Sequence, residues 1–366
     1  MFVHGVEIDN PHFADGATAR LKKAFARYSG ADPDEALVLK PAFWAQELDV
    51  GHDELLNRLG GGGATSFFRT LSRWATATDA GSGLALAALV LSGLVRRLPG
   101  ARDFHFPTMR WLTVHYVGDA VAYQINSSER ELYDRVHAVV ARTLTELAAE
   151  AGENAPLCVI AHSLGSVVAS NFFYDLEVEA GCYGEPRKLK GRRVARSLGS
   201  SPVERGETLS FLYTLGSPMA LWAARLPDRG TPLIVPHPRA AHHNPKIKGE
   251  WVNVYAPDDV ISSPLKQLND RYDRQVAEDR GLSVGPWWLS WSPLSHPWYW
   301  NDDRVIDPIA ASLAEAWHAL RATGNGASTT RGWVPASPRC RPAAVADRRL
   351  HRANRPVVAT LTGLWW

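Results

Sequence analysis

Apolar residues along this chain fall into two alternating rhythms: short, nearly continuous β-branched runs, and longer stretches with helical periodicity. Phe2–Val6 predicts a short strand running into a His4-Gly5 turn, and Ala17–Tyr28 predicts a helix with Leu21, Ala24, Phe25 and Tyr28 on one face. Ala36–Leu39 is the next predicted strand, closing on Pro41, Phe43 and Trp44. A strand, a helix and a second strand in that order build a parallel sheet. The rhythm returns with a strand at Trp111–Val117 and a helix over Glu129–Ala149, whose face carries Leu132, Val136, Val139, Val140, Leu144 and Leu147. Strands follow at Leu157–Ala161, Leu209–Leu215 and Trp251–Ala256, and a last helix, Asp307–Leu320, buries Ile309, Leu313, Trp317 and Leu320. The pattern predicts an α/β fold with a mostly parallel central sheet flanked by helices, over residues 1–320.

Three segments break the rhythm. Residues 50–110 read as a helical insert or lid: a glycine run, Gly60–Gly63, precedes Phe67, Phe68, Leu71 and Trp74, and an apolar stretch follows from Ala80 to Val95. That stretch is too short and too rich in small residues for a membrane span, so a buried helix, or a lid touching substrate or a membrane, is the expectation. Any peripheral membrane contact is assigned to residues 80–98. Gly181–Arg205, rich in glycine and arginine without a period, predicts a solvated surface loop. Residues 325–366 form a tail rich in Arg and Pro whose default state is disorder.

Composition narrows the function classes. With 45% apolar and 21% charged residues in 366, the chain has the balance of a globular protein with room for a sizeable core. Its net charge of +2 is uneven, because the tail holds seven arginines against Asp347, about +6, leaving about −4 on the body. The body therefore carries no nucleic-acid footprint. Three widely spaced cysteines offer neither a disulfide framework nor a zinc spacing, which fits a reducing compartment. No leader-peptide pattern opens the chain, so a cytoplasmic setting is expected, although Met1-Phe2-Val3 reads like the end of a strand that begins upstream.

The chemistry concentrates at Pro156–Leu176. An apolar strand meets a turn of small residues at Ser163, and helical periodicity starts at once with Val167, Val168, Phe172 and Phe173. Such a strand–turn–helix forces a strained backbone at the serine and projects its hydroxyl from the sheet edge. A serine hydroxyl attacks well only when a histidine takes its proton and a carboxylate holds that histidine. The Asp258-Asp259 pair ends a later strand, and His296 lies in the tryptophan-rich loop Trp287–Trp300 before the last helix. Strand ends on one side of a parallel sheet bring such groups together. His237, His242 and His243 invite a metal reading, but no carboxylate stands at a suitable spacing and no metal site is assigned.

These motifs resemble the serine hydrolases of the α/β-hydrolase superfamily, nearest to lipase-like and inositol-deacylase-like esterases. The resemblance rests on His4-Gly5-Val6, Ala161-His162-Ser163-Leu164-Gly165, Gly216-Ser217-Pro218, the strand bearing Asp258-Asp259, and His296 with Tyr299-Trp300. Ala161 departs from the usual G-x-S-x-G. The resemblance implies Ser163 as nucleophile, His296 as base and then acid, and Asp259 as the orienting carboxylate, with Asp258 as the alternative. It further implies an oxyanion hole from the N–H groups of Leu164 and Val6, with His4 bracing the Val6 loop and His162 a packing neighbour. Trp298, Tyr299 and Trp300 are candidates for a substrate pocket or for core packing. The expected reaction is cofactor-independent hydrolysis of a carboxylic or lipid ester. Thioester, amide and acyl-transfer chemistry, or a non-catalytic binding role, stay open.

Overall fold

The computed structural model describes residues 1–5, 11–47, 123, 131–190, 198–224, 226–287, 290 and 293–322. The insert at 50–110, the strand expected at Trp111–Val117, the segment 80–98 and the tail lie outside these residues, as does Val6. Within them, six strands form one all-parallel sheet: β1 (Phe2–Val3), β2 (Pro41–Ala42), β3 (Leu157–His162), β4 (Leu209–Leu215), β5 (Glu250–Tyr255) and β6 (Glu278–Gly281). Their spatial order is β2-β1-β3-β4-β5-β6. Four long helices flank the sheet: α1 (Asp15–Ser29), α2 (Glu131–Ala151), α3 (Leu164–Glu179) and α4 (Asp303–Arg321). The chain is of the α/β class.

Alternation along the strands supplies two cores. In β3, Val159 and Ala161 join the layer formed with α2 and α3, which includes Val140, Leu144, Val168 and Phe172. Ile160 faces the opposite layer with α1 and α4, where Leu21, Phe25, Ile306 and Ile309 are buried. Strand order runs outward from β1 in one direction and from β3 in the other, so the crevice between them is where ligand sites gather in open parallel sheets.

Several boundaries differ from the sequence pattern. The strand expected at Ala36–Leu39 is displaced to Pro41–Ala42, which pairs with Phe2 and Val3. Asp32 and Pro33 explain the shift: the Asp32 carboxylate accepts the Asp34 N–H and Pro33 opens a single helical turn, Pro33–Ala36. Strand β6 was not expected, because Glu278-Asp279-Arg280-Gly281 has no apolar alternation; charge is what an edge strand uses to resist further pairing. Helix α4 begins one turn early, with the Asp302 carboxylate accepting the Arg304 N–H ahead of Pro308. The loop Gly181–Arg205 is not wholly a solvated excursion. Cys182, Ser201, Val203 and Glu204 are buried, and the Val203 N–H donates to Glu153 O at 3.1 Å.

Candidate active site

The β3–α3 junction is a tight turn. Ser163 has φ 51° and ψ −131°, a region that L residues avoid and that costs on the order of 1–3 kcal/mol. The surroundings fix it from both sides. Its N–H donates to Leu215 O at 2.9 Å, continuing the sheet, while its carbonyl accepts the Ser166 N–H at 3.0 Å and the Ser166 hydroxyl at 2.6 Å. The Ser217 hydroxyl lies 2.7 Å from that of Ser166, so the Gly216-Ser217-Pro218 loop supports the turn.

Two glycines let β1 lie across this turn. A Cβ on Gly165 would come within 2.1 Å of His4 O and 2.6 Å of Val3 O, and one on Gly5 within 2.6 Å of the Ser163 Cβ. Ala161, by contrast, is accommodated fully buried in β3, between Val3 and Thr214 in register. The close approach that demands glycine is after the serine, at Gly165.

The three residues expected to converge do so. His296 Nε2 lies 2.8 Å from Ser163 Oγ, and His296 Nδ1 lies 2.7 Å from Asp259 Oδ2. Asp259 is 3% exposed, whereas its neighbour Asp258 is solvent-exposed and belongs to the turn. Burial raises the proton affinity of Asp259, but His296, the Ile261 N–H at 3.0 Å and the Tyr299 hydroxyl at 3.1 Å outweigh it and hold the carboxyl below its ordinary range. An ionised Asp259 accepts a hydrogen bond from the Nδ1–H, which keeps that proton on Nδ1 and leaves the Nε2 lone pair facing the serine hydroxyl. This is the proton arrangement a general base requires.

His296 is seated by its neighbours. Gly216, at φ +57°, lies under the ring, where a Cβ would be 3.1 Å from His296 Cε1 and 2.8 Å from Tyr299 Cε2. From β3, His162 Nε2 donates to the His296 carbonyl at 2.9 Å. His162 is thus more than a packing neighbour: it ties the strand that carries the serine to the loop that carries the imidazole. Burial holds it neutral, near 3.

Comparison with protein-family models, with curated proteins and with solved structures gave no match.

His4 braces its loop as expected. Its Nδ1–H donates to Gly5 O at 2.6 Å and its Nε2 accepts the Trp44 N–H at 3.0 Å, while the ring stacks on Trp44 with centroids 4.6 Å apart. Full burial keeps it neutral, near 3. Leu164, the first residue of α3, offers its N–H at the helix N-terminus beside Ser163; Val6, the other expected donor, lies outside the described residues.

Of the aromatic residues after His296, Tyr299 and Trp300 are packed in the core. Tyr299 is fully buried and directed inward, and Trp300 packs edge-on against Phe2 at 5.7 Å in the α1–α4 core. Trp298 is half-buried against Gly285. Nothing in the sequence separated core from cleft here, because an aromatic run satisfies either. The tryptophan-rich loop itself closes as successive 3₁₀ turns over Pro293–Asn301. Two of the histidines weighed for a metal are engaged elsewhere: His237 Nδ1 accepts the Arg239 N–H at 3.1 Å, and His243 Nε2 meets Glu207 at 3.2 Å. Among the described residues no group of three or more His, Cys, Asp or Glu is arranged to hold a metal ion.

Proposed function

We propose that this chain is a serine hydrolase of the α/β-hydrolase type that cleaves carboxylic esters, lipid esters among them. The observation that carries the reading is the continuous hydrogen-bond path from Ser163 Oγ through His296 to Asp259, with bonds of 2.8 and 2.7 Å, built on a strained strand–turn–helix. The order Ser, Asp, His along the chain supports it, as does the site's position beside the crevice where strand order reverses.

In this reading Ser163 Oγ attacks the ester carbonyl carbon as His296 Nε2 takes its proton. The tetrahedral oxyanion is met by the Leu164 N–H and by that of Val6. His296 then protonates the leaving alcohol, giving an acyl-serine. A water molecule, deprotonated by the same nitrogen, attacks the acyl carbon and releases the acid, returning the proton to Ser163. Asp259 stays ionised and stabilises the imidazolium at both stages. Water is the only co-reactant.

The test is intact-protein mass spectrometry after exposure to a fluorophosphonate, on wild type and Ser163→Ala, with short- and medium-chain nitrophenyl esters assayed alongside. One adduct, lost in Ser163→Ala, together with ester turnover, supports hydrolysis. A folded protein that takes no adduct and turns over no ester is a binding protein on a hydrolase-like scaffold, and the proposal fails.

A further inference from the structure

We infer that Tyr299 is a positioning residue that sets the proton affinity of the Asp259–His296 pair by sharing the carboxylate oxygen to which the imidazole is bound. The inference rests on the hydrolase reading only for its kinetic consequence.

Asp259 Oδ2 has two donors, His296 Nδ1–H at 2.7 Å and the Tyr299 hydroxyl at 3.1 Å, while Oδ1 takes the Ile261 N–H at 3.0 Å. The Tyr299 hydroxyl is itself constrained. Its oxygen accepts the Ala256 N–H at 2.7 Å, and a backbone N–H can only donate, so the single phenolic proton goes elsewhere. The acceptors within reach are the Asp259 carboxylate and the Ser262 hydroxyl at 3.3 Å. The anion is the stronger and nearer of the two. Ser262 Oγ also lies 3.3 Å from Ala256 O, to which it can donate. Tyr299 thus bridges the end of β5 to the carboxylate that follows it, from a fully buried position three residues beyond His296.

A donor on Oδ2 withdraws negative charge from the imidazole it faces, and removing that donor makes the carboxylate a stronger partner for imidazolium. The neighbouring titratable groups do not obscure this effect. His162, from β3, has its ring 4.8 Å from His296 and 5.6 Å from Tyr299, and His4 stands beyond it. Both are held neutral by burial. Among the described residues, Ser163 and Gly216 also face the imidazole, and neither carries a charge. Tyr299 stays protonated, since burial and the adjacent Asp259 push its phenol up.

The experiment titrates the pair directly, by following the His296 Nδ1 proton in histidine-labelled full-length protein by NMR, and separately measures kcat/KM against pH with nitrophenyl acetate. Tyr299→Phe should raise the midpoint of the pair by about 0.5–1 pH unit. Activity on the acid limb should then fall roughly 3–10-fold while the alkaline plateau changes less. Site-specific 3-fluorotyrosine at position 299, a stronger donor, should move the midpoint the opposite way. An unmoved midpoint, or shifts of the same sign in both proteins, overturns the inference. If the midpoint moves as stated but Ser163 takes no fluorophosphonate, the inference stands and the hydrolase reading falls. If Ser163 is labelled and the midpoint does not move, the reverse holds. Should Tyr299→Phe not fold, the fluorinated protein alone decides.

Discussion

Replacing Gly5 by alanine tests whether the loop after β1 fixes the serine. The added methyl would sit 2.6 Å from the Ser163 Cβ and 3.1 Å from its Oγ. Ordinary carbon contacts lie at about 3.5–4.0 Å, so the loop and the serine must separate by about 1 Å. Gly5 does not occupy the left-handed region, and no backbone penalty is added to the steric one. Neither side yields easily. His4 is bound on both ring nitrogens and stacked on Trp44, while Ser163 is held by Leu215 and Ser166. Overpacking of this kind costs about 1–3 kcal/mol of stability. A displacement of that size at the reacting atom costs about 100-fold in rate, and loss of one oxyanion donor costs ~100–1,000-fold. The expected result is a folded protein whose kcat for nitrophenyl butyrate drops about 100-fold with KM little changed, and whose fluorophosphonate labelling slows in parallel. Gly30→Ala is the control: at φ +66° with nothing within 4 Å, it should lose stability through backbone strain yet keep its kcat. A folded Gly5→Ala with kcat within about two-fold of wild type would refute the argument that this contact fixes the nucleophile.

Other substitutions probe the remaining contacts. Asp259→Asn presents an amide donor where His296 needs an acceptor, and kcat should fall about 10,000-fold with unchanged circular dichroism. Gly216→Ala adds a methyl against both Tyr299 and His296 at φ +57°; it should lower the melting temperature and cut kcat more than ~10-fold, measured together on one preparation. Stability should fall as pH drops below about 6.5, because His4, His137 and His162 near 3 and His237 near 4 are buried neutral but protonate when unfolded. Glu177, raised to about 8 by burial, acts in the opposite sense between about 4.5 and 8. Unfolding near pH 5 should therefore take up about three protons net, a slope of roughly 4 kcal/mol per pH unit. Urea titrations at pH 7, 6 and 5 measure it, and a flat profile would contradict the burial of these imidazoles.

Period was the legible part of this fold. Strands β3, β4 and β5 and all four long helices follow from runs that are buried on both faces or on one, and burial is what hydrophobic patterning records. Where polar chemistry dictated structure, the pattern was silent. Asp32-Pro33 made a helical turn out of a segment with strand-like residues, and β6 is held by pairing with β5 and by Asp279, whose carboxylate accepts the N–H groups of Leu265 and Lys266. The site was readable as far as residue type and chain order reach: Ser163, Asp259 and His296 meet, and exposure separates Asp259 from Asp258. What depends on direction was not readable. That Tyr299 turns inward to Asp259, and that His162 reaches the His296 carbonyl, are facts of side-chain aim, and no spacing encodes them.

Ser163 leads into α3, which belongs to one layer, whereas Tyr299, Trp300 and α4 belong to the other, and the sheet lies between them. The hydrogen bonds of His296 to Ser163 and of His162 to the His296 backbone thus join the end of a sheet strand to a loop that packs with the α1–α4 layer. The sheet, whose strands fill both layers by alternation, can stay paired while that loop shifts by an ångström. Heat or mild denaturant should accordingly silence the chain while its helical signal is still intact, making turnover a gauge of where that loop sits and not of whether the layers are folded.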